Sequence, residues 1–324
     1  MDSLTLEFSD WQQELQRAIC HPAHLLQLLE LPEDLMGFVP KRFSLRVPRG
    51  YVAKMRKGDP HDPLLRQVLP LVDEQQHFAH FTWDPTGDKM AEKIPNLLHK
   101  YHGRALLITT GACAIHCRYC FRQHYPYSAF QIDSILNVLR EETSITEIIL
   151  SGGDPLTWTD KRLTELIHTL ATLDHLKRLR LHSRLPIVLP QRITFNLLKV
   201  LTETRLQPIL VVHANHPNEI DVQVGQGLRS LVEGGITVLN QSVLLRGVNN
   251  HIQILTALSE VLFTYRVLPY YLHLLDRIHG AAHFEVPQED ALELLKQLRI
   301  NLPGYLVPRM VREIPGTAFK QPLC

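Results

Sequence analysis

"TTGACAIHCRYCFRQ", residues 109–123, sets three cysteines in the order C-x3-C-x2-C and supplies no fourth. The apolar run just before it, "ALLITT" from Ala105, reads as a β-strand, so Cys113, Cys117 and Cys120 fall on the loop that follows a strand. Three thiolates on one loop can ligate three corners of a 4Fe-4S cluster and leave one iron without a protein ligand, which makes that iron a reaction site. A structural zinc site is the alternative. Zinc sites of that kind are closed by four ligands, and His116 or His124 would have to complete this one.

Working outward from the cysteines, short β-rich runs alternate with amphipathic stretches, as in a parallel sheet with crossover helices. Six strands are predicted: "ALLITT" (from Ala105), "TEIILSG" (Thr146), "RLRLHS" (Arg178), "PILVVHA" (Pro208), "ITVLNQSVLL" (Ile236) and "RVLPYYLHL" (Arg266). Leucine and isoleucine at three- and four-residue spacing mark helices between them, among them "DSILNVLREE", "KRLTELIHTL" and "HIQILTALSEVLF". Six units fall short of the eight of a closed barrel, so the expected fold is α/β, an open (β/α)6 TIM-like partial barrel, with a doubly wound sheet as the alternative. Either architecture gathers chemistry at the carboxyl ends of the strands. Those ends carry Cys113, Gly152, Gly153, His182, Arg184, His213, Gln241 and Asp276, a polar set that predicts an active site on one face.

Residues 1–100 read as a helical and irregular extension and 101–324 as the barrel with a C-terminal segment. Ser9 and Gln12 form a candidate capping box ahead of Trp11, Leu15 and Ile19. Seven bases between Lys41 and Lys57 read as a solvated face. The chain has 34 Lys and Arg against 33 Asp and Glu in 324 residues, so no field of one sign holds a nucleic acid or an acidic membrane. The acidic start lacks the bases of a secretory signal and no apolar run approaches the roughly 20 residues of a span, so a cytoplasmic protein is expected. Cys20 and Cys324 lie alone at the two ends, which suits a ligand cluster in a reducing compartment rather than a disulfide framework.

The cysteine motif after a strand, with an aromatic before the last cysteine, resembles the radical S-adenosylmethionine (SAM) superfamily, whose fold is a partial barrel. "HKYHGRALLITT", "CRYCFRQ", "SGGDPL", "SRLPIVLPQRIT", "HANHPNEI", "NQSVLLRGVNN", "PYYLHLLD" and "PGTAFK" together resemble the lysine 2,3-aminomutases, in the family's order, over residues 60–320. The short chain is similar to the bacterial form that makes β-lysine for elongation factor P.

That resemblance implies three cofactors. The open iron of the cluster on Cys113, Cys117 and Cys120 would bind SAM, with Gly152 and Gly153 at its amino group, and yield a 5'-deoxyadenosyl radical once an electron donor reduces the cluster. Pyridoxal 5'-phosphate (PLP) would be held by Lys320 of "PGTAFK" as an imine, with Lys100 and Arg104 supplying cations to its phosphate and His213 and Gln241 lining its pocket. The family usually has a run of glycines before this lysine, where Thr317, Ala318 and Phe319 stand here.

For the substrate, the resemblance assigns Arg122 to the α-carboxylate, and Asp276 and Glu313 to the side-chain ammonium, Glu313 replacing the usual aspartate. Two carboxylates exclude an acidic side chain: a substrate carboxylate about 4 Å from either costs on the order of 4 kcal/mol at an effective dielectric near 20. The expected reaction converts L-lysine to β-lysine, with ornithine or arginine as alternatives, and links the protein functionally to elongation factor P and its lysyl ligase. A radical SAM enzyme without PLP acting on RNA, or a cluster-binding scaffold, are the rival readings. Longer relatives carry a zinc-binding tail that joins subunits, and the chain ends at Cys324, so no such clamp is expected.

Overall fold

The computed structural model describes residues 11–36 and 43–324. Ser9 of the expected capping box, and Lys41 and Arg42 of the basic run, lie outside them; Gln12 falls in the helix Trp11–Gln16.

One sheet organises the chain, with ten strands in strict sequence order: β1 (Glu92–Ile94), β2 (Leu97–Tyr101), β3 (Arg104–Thr110), β4 (Glu147–Gly152), β5 (Arg178–Ser183), β6 (Gln207–His213), β7 (Thr237–Val243), β8 (Leu268–His273), β9 (Arg309–Arg312) and β10 (Gln321–Pro322). From β3 to β9 all neighbours are parallel, and β1, β2 and β10 pair antiparallel at the two edges. The six strands expected from sequence are β3 to β8, each within two residues of its expected start. A doubly wound sheet requires a reversal of strand order, and none occurs. Crossovers between parallel strands are right-handed, so an unreversed order puts every crossover helix on one face and curls the sheet around the other. The result is an open partial barrel.

Four strands, β1, β2, β9 and β10, lie where the sequence reading had none. Residues 92–101 were expected to be helical or irregular but form the β1–β2 hairpin, and the boundary at residue 100 falls inside β2. "EKI" is too short to show a period, and β2, "LLHKY", is recruited by pairing with β3 rather than by its own pattern. β9 has only four residues, yet it fixes the direction in which Glu313 leaves the sheet.

The sheet's two faces differ in chemistry. Leu179, Leu181, Leu210, Val212 and Val238 point outward and are almost wholly buried beneath helices such as Asp160–Ala171 and Val222–Glu233. The alternate positions, Glu147, Ile149 and Ser151 on β4, Arg180 and His182 on β5, Leu239, Gln241 and Val243 on β7, face inward around a cavity of about 560 Å³. Small barrels fill this space with branched aliphatics. Here polar side chains keep it open. Helices from residues 11–91 pack on the same core: Ile19, Leu25, Leu26 and Tyr51 join one continuous cluster with Leu107 and Leu185.

Candidate active site

The cysteine loop is fixed to the N-terminal segment by backbone bonds. His116 N donates to Arg46 O (3.0 Å) and Arg118 N to Gln67 O (2.9 Å), and the buried Arg118 guanidinium grips Glu74 at 2.9 and 3.2 Å. On its other side the loop lies against the end of β4: Gly153 N donates to Thr110 O (2.6 Å) and Asp154 N to Ala112 O (2.8 Å). The approach explains both glycines of "SGGDPL". Gly152 has φ +115°, and a Cβ on Gly153 would sit 2.4 Å from Ala112 O.

All three cysteines line the cavity. Burial pushes the Cys120 thiol up to about 12, with Cys117 adding to it, and Cys113 is raised in the same way by burial and then by Cys120 and Cys117. The Cys113 and Cys120 thiols resist ionising, which a multi-iron cation relieves, and with Cys117 lining the same cavity the donor set fits a cluster. His116 stacks on Phe43 (4.5 Å between centroids) with Nδ1 2.5 Å from Ser44 O, and His124 meets Trp83 edge-on at 4.5 Å; neither lines the cavity. Among the described residues no three Cys, His, Asp or Glu side chains converge as ligands of a single metal ion.

Behind Cys117 lies a polar network the sequence reading did not find. Arg184, noted only as a strand-end residue, donates to the half-buried Cys117 Sγ (2.6 Å) and to the buried Tyr119 Oη (2.7 Å), Gln67 Oε1 (2.7 Å) and Glu219 Oε2 (2.9 Å). Gln67, Tyr119 and Glu219 come from three separate segments, so no local spacing announces the network. His213, at the end of β6, lies 3.1 Å from Tyr119 Oη, and burial beside Arg184 lowers it to about 3, so it is a neutral imidazole.

Lys320 and both expected substrate acids line the same cavity as the cysteines. Lys320 Nζ donates to Glu313 Oε2, Tyr101 Oη donates to Glu313 Oε1 (2.6 Å), and Lys100 Nζ stands 3.6 Å from the same oxygen. Burial would raise Glu313, but these partners outweigh it and hold the carboxyl below its usual range. Among the described residues Asp276 has no ion-pair partner. Burial raises it to about 7, with the Lys320 ammonium acting in the opposite direction. Lys100, expected at a cofactor phosphate, is instead committed to Asp88 Oδ1 (2.6 Å) and Thr86 O (2.6 Å), whereas Arg104 lies over the Tyr101 ring (4.7 Å) at the cavity wall.

Asp88 is the acid the sequence reading missed. Its Oδ2 accepts from Arg122 Nε (2.7 Å) while Oδ1 takes Lys100, and the two cations outweigh its burial to hold the carboxyl well below the usual range. "DPTGDK" gives one signal, an aspartate just after a glycine turn, and nothing that distinguishes it from a solvated cap. Every residue singled out for a site role thus lines one cavity: the three cysteines, Gly152 and Gly153, Lys100, Arg104, Arg122, His213, Gln241, Asp276, Glu313 and Lys320.

An open parallel barrel with three cysteines on the loop after its first parallel strand has the architecture of the radical SAM class. No family model matches the chain. It is 45% identical to an L-lysine 2,3-aminomutase of Haemophilus influenzae, covering 97% of this chain and 95% of that one, and 45% identical to one of Escherichia coli, covering 97% and 94%. A Clostridium subterminale L-lysine 2,3-aminomutase is 32% identical, over 98% of this chain and 78% of that protein. The chain belongs to the L-lysine 2,3-aminomutase family. Among solved structures it is similar to a radical SAM methyltransferase from Sphaerobacter thermophilus (TM-score 0.46, 16% identity, 67% of this chain and 68% of that one) and to a domain of a pyruvate-formate lyase-activating enzyme from Bacteroides vulgatus (TM-score 0.36, 13% identity, 50% and 96%). No described helix is long and apolar enough to cross a membrane.

Proposed function

We propose that the protein is an L-lysine 2,3-aminomutase, converting L-lysine to β-lysine. The observation that carries this reading is 45% identity, over nearly the full length of both chains, to relatives of that name. The cavity supports it, because cluster thiols, Arg122, Lys320 and two acids share one space. In this reading Cys113, Cys117 and Cys120 hold a 4Fe-4S cluster, Gly152 and Gly153 allow SAM to approach it, and Lys320 anchors PLP with Arg104, His213 and Gln241 around it. When bound, these groups supply a radical able to take hydrogen from an unactivated carbon and a π system across which an amino group can shift to the neighbouring carbon.

The chain's own residues then do the positioning. Arg122 presents a planar donor fork to the substrate carboxylate. Asp276, raised to about 7 and without a counter-ion, gains a charge partner when an ammonium arrives, and Glu313 stands beside it. A guanidinium and two acids lining one cavity suit a cationic α-amino acid such as lysine. The enclosing barrel limits the water that would quench a carbon radical.

Anaerobically reconstituted protein given L-lysine, SAM and a reductant should yield β-lysine and show the visible band of a PLP imine. Lys320→Ala should lose both, and Cys117→Ser should lose turnover. Absence of β-lysine from the reconstituted wild-type protein rejects the proposal. The finer reading, a cytoplasmic enzyme whose product a ligase attaches to elongation factor P, rests on resemblance to the short bacterial form. It is tested by whether β-lysine on that factor disappears when the gene is deleted.

A further inference from the structure

We infer that Asp88 is a positioning residue for substrate recognition, setting the plane of Arg122 so that its outer edge meets the substrate's α-carboxylate. The inference rests on the aminomutase reading and deepens it.

Asp88 comes from the N-terminal segment, in which the sequence reading gave a site role only to Lys100. The turn that delivers it is built for the purpose. Asp84 accepts from Asp88 N (2.9 Å) and Lys89 N (3.0 Å), starting the helix Asp88–Ala91, and Thr86 Oγ1 donates to Asp88 Oδ1 (3.0 Å). Gly87, with φ +65°, brings the turn so close to the C-terminal segment that an added Cβ would lie 2.9 Å from Pro315 Cβ. The acid is therefore held against the segment that carries Lys320.

Both carboxylate oxygens are in use. Oδ2 takes Arg122 Nε and Oδ1 takes Lys100, with the Asp88 side chain 3% and Arg122 7% exposed. Arg122 Nη1 has a second anchor in Ser151 Oγ (3.2 Å) on β4. Two anchors on different elements fix a guanidinium plane that one alone would leave free to rotate, and bidentate capture of a carboxylate depends on that plane. The charge sum agrees over the whole contacting network: Arg122, Lys100 and Lys320 against Asp88 and Glu313 leave one net positive charge, which a substrate carboxylate neutralises. An opposing effect is present as well. Asp88 is itself a carboxylate on Arg122, and removing it would raise the positive potential and strengthen anion binding if orientation did not matter.

Asp88→Asn separates the two. An amide offers one acceptor where the carboxylate offers two, so either Arg122 or Lys100 faces an NH2 group. The readout is the ratio of dissociation constants for L-lysinamide and L-lysine, measured by calorimetry on reconstituted protein, which isolates the carboxylate contact from general damage to the fold. Wild-type protein should favour lysine. The ratio should fall about tenfold in Asp88→Asn, corresponding to the loss of one buried charged hydrogen bond, with KM for lysine rising more than kcat falls. Thr86→Val, which keeps the charge and removes only the hydroxyl that braces it, should lower the ratio in the same direction by a smaller factor and serves if Asp88→Asn does not fold. A ratio unchanged or increased in the variant that folds overturns the inference. Equal affinity of the wild-type protein for lysine and lysinamide would instead reject the role of Arg122.

Discussion

Asp276 and Glu313 share one wall of the cavity, yet their partners set them apart. Glu313 is ion-paired with Lys320 and hydrogen-bonded by Tyr101, whereas Asp276 has no ion-pair partner among the described residues. The Asp276 carboxyl titrates near 7 when folded and near about 4 when unfolded. Between those values the folded state binds the extra proton, so this contribution to stability is full below about pH 4 and is lost as pH rises towards 7. Asp276→Asn removes that loss. Its melting temperature at pH 8 should exceed that of the wild-type protein by about 2–4 °C in scanning calorimetry, and the gain should vanish at pH 4. Lysine binding responds in the opposite sense, because the ammonium needs the ionised acid. Affinity should fall as pH drops below 7, and Asp276→Asn should bind lysine weakly with no such pH dependence. The three cysteines expected to hold a cluster were legible from the motif because they share a loop, and Arg122 entered through the family resemblance. Asp88, Arg184 and Glu219 were not, since their partners lie 34, 67 and 35 residues away in the chain.

At the scale of elements, the contact between the end of β4 and the cysteine loop sets the geometry of the site. Gly153→Ala places a methyl group 2.4 Å from a backbone oxygen, which cannot move without moving the cysteines. The substitution should cost about 1–3 kcal/mol of stability and lower the iron and sulfide retained per chain. Gly50→Ala is the control: nothing lies within 4 Å of its Cβ, and it sits in the helix Arg49–Val52. That variant should keep its full iron and gain up to about 1 kcal/mol from helix propensity. If both variants retain wild-type iron, close packing of β4 on the loop does not govern cluster retention. The six central strands were legible because each is a continuous β-rich run of six or seven residues. β1, β9 and β10, of three, four and two residues, owe their existence to neighbours already in the sheet, and no periodicity can be read over so few positions.

At the scale of the whole molecule, the N-terminal segment and the barrel share a core, so they should unfold together. Trp11 and Trp83 report on the first and Trp158 on the second; melts followed by tryptophan fluorescence and by far-ultraviolet circular dichroism should coincide in one transition. Two separated transitions would mean that the buried contacts of Ile19, Leu25 and Tyr51 do not couple the parts. Alternation of strands with helices and the cysteine spacing were enough to indicate a parallel α/β sheet with three cysteines on the loop after its first expected strand, because those are local patterns written in consecutive residues. The open barrel was separated from a doubly wound sheet by the unreversed strand order. Which cations and acids are paired inside it was settled only when the sheet curled. Partners drawn from the first ninety residues and the last dozen meet across a buried space, where loss of solvation forces each charge to find a counter-charge, and sequence separation carries no trace of that distance.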